Sequence, residues 1–72
     1  MIAMKEIKSS NIAAVGYDKD KQELHVQFGG TGKTYVYEGV PQAKHTALLG
    51  AESVGSFFHT HIKSAHTGKA KP

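Results

Sequence analysis

Residues 23–38 read ELHVQFGGTGKTYVYE, and this stretch constrains the fold more tightly than any other in the chain. In ELHVQF the apolar residues Leu24, Val26 and Phe28 alternate with His25 and Gln27, the period-two pattern of a half-buried strand. KTYVYE is rich in the β-branched and aromatic types that suit a pleated surface. Between them lies GGTG, whose glycines can supply the positive φ values of a tight turn. The expectation is therefore an antiparallel hairpin.

The same residues also resemble the end of a phosphate-binding loop, since GGTGKT carries Gly32-Lys33-Thr34. That loop needs a glycine five residues before Gly32, where this chain has Gln27, and it must lead into a helix. Here the lysine opens a strand, so a nucleotide site is not expected. The loop length matters for another reason. With two or four loop residues, opposed residue numbers sum to 61, so Tyr35 and Tyr37 join Val26 and Leu24 on the core face. With three or five, Val36 joins the core and the tyrosines lie with His25 and Gln27, because a one-residue slip flips every side chain. The even-numbered loop gives the commoner turns and places the tyrosines inward.

Upstream, NIAAVGY (11–17) has a strand-like look, with Ile12, Val15 and Tyr17 as its large apolar residues, and DKDKQ (18–22) is a polar turn. Residues 1–8 are an N-terminal segment or first strand whose apolar residues are Ile2, Met4 and Ile7. After Pro41 the period changes. QAKHTALL carries a short helix, with Gly50 in the place of a left-handed C-terminal cap. Ser53 can cap a second helix, in which Val54, Phe57, Phe58, His61 and Ile62 form one buried stripe, with His61 half-buried. Residues 65–72 are small, basic and rich in helix breakers, and are expected to be a disordered tail. Strands come first and helices second. The fold class is α+β: a small antiparallel sheet of three to four strands, followed by two short helices packed on one face.

With 72 residues the chain is one domain of modest stability. It has no cysteine, which excludes disulfides and thiolate chemistry. No apolar run reaches the ~18 residues of a membrane span, and MIAMKEIKSS does not read as a secretion signal, so the expectation is a soluble protein of the cytoplasm. Nine lysines against six acids give a net charge of +3, with no arginine. That suits an acidic protein surface or a phosphate backbone, although the forks that read bases and phosphates are mostly arginine. His59 and His61 are two apart and would point to different helix faces, so they do not make a metal site. Ser9, Ser10 and Ser53 have no evident base partner, and capping accounts for Ser10 and Ser53. No catalytic set, metal or cofactor is expected.

Several marks together carry a family resemblance. They are Ser9-Ser10-Asn11-Ile12, Tyr17-Asp18, the Tyr35-x-Tyr37 pair, Val40-Pro41, and Ser53-x-Gly55 ahead of His61-Ile62. Over residues 9–64 the chain resembles the KTSC domain, found alone in bacterial and phage proteins and at the C-terminus of some lysyl-tRNA synthetases. That family is described as of unknown function, with RNA binding proposed. The whole chain also resembles a small Xanthomonas-phage transcription regulator that binds the host RNA polymerase. This second resemblance implies a non-enzymatic, monomeric regulator that contacts the large subunits of bacterial RNA polymerase, inhibits initiation and permits terminator read-through. The alternative is an RNA-binding module using a basic sheet face and the two tyrosines. The residues expected at a partner surface are Ile2, Met4, Lys5, Lys8, Lys33, Tyr35, Tyr37, Lys63 and Lys69.

Overall fold

The computed structural model describes residues 4–9 and 11–70. Five strands form one antiparallel sheet in the order of the chain: β1 (Lys5–Glu6), β2 (Ile12–Asp18), β3 (Glu23–Phe28), β4 (Thr34–Tyr37) and β5 (Gly68–Ala70). Two helices, α1 (Gln42–Leu49) and α2 (Val54–Phe58), cover one face, and α2 runs on as a π-helical segment over His59–Lys63. The α+β class with both helices on one face is as the residue pattern indicates.

The hairpin register is the even one. Leu24 pairs with Tyr37 and Val26 with Tyr35. Gly32 N–H donates to Phe28 O and Phe28 N–H to Lys33 O, both at 2.9 Å, closing a loop over residues 29–32. Only Gly32 of its three glycines needs the left-handed region, at φ +71°. In the β2–β3 turn the Asp18 carboxylate accepts from the N–H groups of Asp20 and Lys21 at 3.0 and 3.2 Å. Gln22 closes that turn at φ +53°.

Strand β2 holds a detail that alternation cannot express. Ile12 and Val15 are three residues apart yet both are buried in the core. A bulge at Ala13, between the pairs Ile12↔Phe28 and Ala14↔Gln27, absorbs the odd residue. The core then comprises Ile12, Val15, Leu24, Val26, Tyr37, Val40, Leu48, Phe58 and Ile62. Tyr17 locks the β4–α1 connection by donating its hydroxyl to Val40 O at 2.6 Å.

Three expectations require correction. The tail expected to be disordered over residues 65–72 is ordered where it is described, because Gly68–Ala70 pair with β4 and make the fifth strand; residues 71–72 lie outside the described residues. The composition of the tail reads as disorder, but main-chain bonds to a waiting edge need no apolar side chain. Gly50 is not a left-handed cap: its φ is −94°, and its N–H bonds back to Thr46 O at 3.2 Å. His61 is exposed rather than half-buried, because the wide turn returns Ile62 to the core and swings His61 outward against Phe57, with ring centroids 4.5 Å apart. The Ser53 cap is present, its hydroxyl accepting from Ser56 N–H at 3.3 Å.

Candidate functional site

A cleft of about 360 Å³ opens between the hairpin loop and the second helix. Its floor is Ile12, Phe28 and Phe58, and its rim carries Asn11, Thr31, His59 and Lys63. Local structure sets each of these in place. Gly29 N–H donates to Asn11 O at 3.0 Å, tying the loop to the start of β2. Gly55 brings α2 close on the other side: a Cβ there would lie 3.4 Å from Ser9 Oγ and 3.7 Å from Asn11 Nδ2. Two of the sequence marks, Asn11-Ile12 and Gly55, thus meet at one cleft. The rim offers an amide, a hydroxyl, an imidazole and an ammonium, and no carboxylate lines it. Such a set can hold an anionic or hydrogen-bonding group above an aromatic floor.

A second cleft, of about 540 Å³, shares Lys63 and is lined by Tyr35, Tyr37 and residues 64–68. A polar chain holds its outer wall. Lys44 Nζ donates to His61 O and to His66 Nε2, each at 3.0 Å. An ammonium has no lone pair, so Nε2 must accept and the His66 proton sits on Nδ1. Nδ1–H then donates to Glu38 O at 3.1 Å.

The fold gathers only some of the residues expected at a partner surface: Tyr35, Tyr37 and Lys63 line the second cleft, and the others are spread over the molecule. Ile2 lies outside the described residues. Met4 is the one exposed large hydrophobic residue among those described, at 38% exposure. Lys5 is on β1 and Lys69 on β5, the two edges of the sheet, about 19 Å apart at the usual strand spacing. Lys8 and Lys33 are exposed, the latter at the hairpin. Lys63 alone lines both clefts. Tyr37 is buried edge-on against Phe58, with centroids 5.1 Å apart, so its ring is not a surface platform. Tyr35 is half-buried and meets Phe28 at 5.6 Å. Sequence reasoning did not assign Asn11, Thr31, Gly55 and His59 to a site. The signal for Asn11 and Gly55 lay in the family marks, and only their juxtaposition was missing. Among the described residues no cluster of three or more metal-ligating side chains occurs. No helix among them is long and apolar enough to cross a membrane.

Two titrating groups report on this packing. Burial, and then the neighbouring Tyr35, raises the pKa of the Tyr37 phenol. An unfolded tyrosine ionises near pH ~10, so this contribution to stability is intact below that pH and is lost as pH rises further. His45 stacks on Tyr17 with centroids 4.8 Å apart, and burial, and then Lys5, lowers its pKa. An unfolded histidine takes up a proton near pH ~6.5, so this contribution is intact above that pH and is lost as pH falls. Urea midpoints across pH should therefore decline at both ends. Tyr37→Phe should flatten the alkaline decline and His45→Gln the acid one. A variant that leaves its limb unchanged removes that group from the account.

Comparison with known proteins adds four matches. The model of the KTSC domain matches residues 8–66. A protein from Stutzerimonas stutzeri is 40% identical over 60 residues, covering 83% of each chain. One from Tsukamurella paurometabola is 43% identical over 60 residues, covering 83% of this chain and 88% of the other. Among solved structures, the crystal structure of a KTSC domain protein from Yersinia pestis superposes with a TM-score of 0.93 at 35% identity, covering the whole of both chains. None of these matches bears on a phage transcription regulator, so that resemblance gains no support from them.

Proposed function

The chain belongs to the KTSC domain family, and from that premise we propose that it is a non-enzymatic regulator that docks on a large protein, bacterial RNA polymerase. Docking would act by steric exclusion or by stabilising one polymerase state, inhibiting initiation and permitting read-through of terminators. The polymerase as partner rests on the whole-chain sequence resemblance. The observation that favours a protein partner over RNA is the dispersal of the candidate contacts: lysines stand at opposite sheet edges, and Tyr37 is turned into the core. A nucleic-acid binder gathers its cations along one face or groove.

RNA is kept as a second reading by one specific feature, the carboxylate-free rim of Asn11, Thr31, His59 and Lys63 over Phe28. Pull-down from bacterial lysate, with and without nuclease, separates the two. Polymerase subunits retained after nuclease support the regulator. Loss of every partner after nuclease supports RNA, as would a steep decline of binding with salt. Met4 at the β1 edge gives a second check: a chain lacking residues 1–4 should stay folded but lose affinity for the polymerase. Unchanged binding removes that edge from the contact surface.

A further inference from the structure

Strand β5 is a short edge strand held to the sheet mainly through its backbone. Gly68, Lys69 and Ala70 pair with Tyr37, Val36 and Tyr35, and bring no large apolar side chain with them. Lys69 and Ala70 are exposed. The one ion pair of this strand joins Lys69 Nζ to Glu38 Oε2 at 3.6 Å, between two exposed groups, and such pairs stabilise little. The chain leading into β5 is fixed separately, by the Lys44–His66–Glu38 hydrogen bonds. Residues 68–70 can therefore leave the sheet while their anchor stays. Segments with few buried apolar contacts are the ones that open first.

The seat under β5 is nonetheless selective. A Cβ on Gly68 would overlap the Tyr37 ring, 2.6 Å from Cζ. Tyr37 has little room to withdraw, since it is buried against Phe58. The β4 edge thus accepts glycine opposite Tyr37, then a cation within reach of Glu38, then a small residue opposite Tyr35. The tail is a bound example of what this edge recognises.

We propose that the β4 edge is a docking site for an extended segment of a partner protein carrying a glycine followed by a basic residue. Residues 68–70 occupy the site in cis until such a segment displaces them. Main-chain bonds to β4 supply affinity, while the Tyr37 seat and the Glu38 carboxylate supply specificity. The proposal does not depend on the polymerase reading, because it specifies the segment and not the protein that carries it.

The test uses the full chain and a synthetic peptide of residues 64–72, SAHTGKAKP. In the full-length Gly68→Val variant the tail should leave β4, so β4 amides exchange faster while β2 and β3 stay protected. Added peptide should then shift the β4 amides in NMR spectra and restore their protection. A peptide with valine in place of its glycine should bind at least about tenfold more weakly, as expected for loss of 1.4 kcal/mol or more. The unmodified chain should bind the parent peptide more weakly than the variant does, because its own tail competes. The proposal is overturned if β5 stays protected in Gly68→Val, if β4 amides do not respond to peptide, or if the valine peptide binds equally well. Should Gly68→Val lose the whole sheet, a chain ending at Thr67 is used instead: its β4 amides should exchange faster and regain protection with the parent peptide but not with the valine peptide, and failure of either response overturns the proposal.

Discussion

Truncating Phe58 to alanine is expected to remove about 3–5 kcal/mol of stability, the usual cost of emptying a buried aromatic site. Phe58 is 4% exposed and is the hub of the aromatic cluster. Its ring meets Phe28 at 5.6 Å and Tyr37 at 5.1 Å, both edge-to-face, and so pins α2 to β3 and β4 together. At roughly 0.05–0.15 kcal/mol per residue, a chain of this length holds about 4–11 kcal/mol in all, so the variant should lie near the edge of folding. Phe57, its half-buried neighbour beside the exposed His61, is the control, and Phe57→Ala should cost much less. Urea midpoints decide it, provided the slope is unchanged. A loss under about 1 kcal/mol for Phe58→Ala would contradict its placement as the keystone of the core.

The second large effect has the opposite sign. His25 lies on the sheet face away from the helices, between Gly16 and Val36, and is 7% exposed. Neither ring nitrogen has a hydrogen-bond partner; the nearest acid, Glu23 Oε1, is 3.7 Å from Nε2. Burying a polar group without a partner costs about 1–3 kcal/mol. His25→Leu, close in volume and without polar atoms, should therefore raise stability by about that amount. For a domain of this size each kcal/mol should lift Tm by about 4–8 °C. Val26, one residue on, points the other way into the core, and Val26→Ala should destabilise. If His25→Leu destabilises by more than about 1 kcal/mol, the imidazole has a partner and the assignment fails. Natural chains keep unsatisfied buried groups mainly where function requires them. A stabilised His25→Leu chain that no longer captures its partner would locate part of the contact surface on this face.

Legibility in the sequence followed the range of the forces involved. The β3–β4 hairpin was readable because alternation and turn chemistry act within a few residues: Leu24, Val26 and Phe28 alternate, and Gly32 sits where φ is +71°. The Ser53 cap was readable for the same reason, since its hydroxyl answers an N–H three residues on. The π-helical turn was not. The spacing of Phe58, His61 and Ile62 suits an α-helical stripe equally well, and packing of Ile62 into the core decides the winding. Nor was the cleft readable as a site. Asn11 and Gly55 are marks far apart in the chain, brought together by the bond from Gly29 to Asn11 and the close approach of α2 to Ser9.

The glycine loop and the glycine of the tail divide the matter clearly. By itself, the sequence determined that GGTGKT is a turn: Gln27 stands where a phosphate loop needs glycine, and a strand follows where a helix should. It determined that strands precede the two helices as far as Phe58, because local periodicity depends only on near neighbours, but not that a fifth strand follows them. Turn chemistry favoured the even loop and inward tyrosines, and the structure has that register over residues 29–32; two registers suit the same residues, so burial was needed to decide between them. Tertiary structure alone decided that Gly68-Lys69-Ala70 is a strand. Nothing in that tripeptide favours a strand; what holds it is a vacant β4 edge and a Tyr37 ring that leaves room for a hydrogen and not for a methyl group.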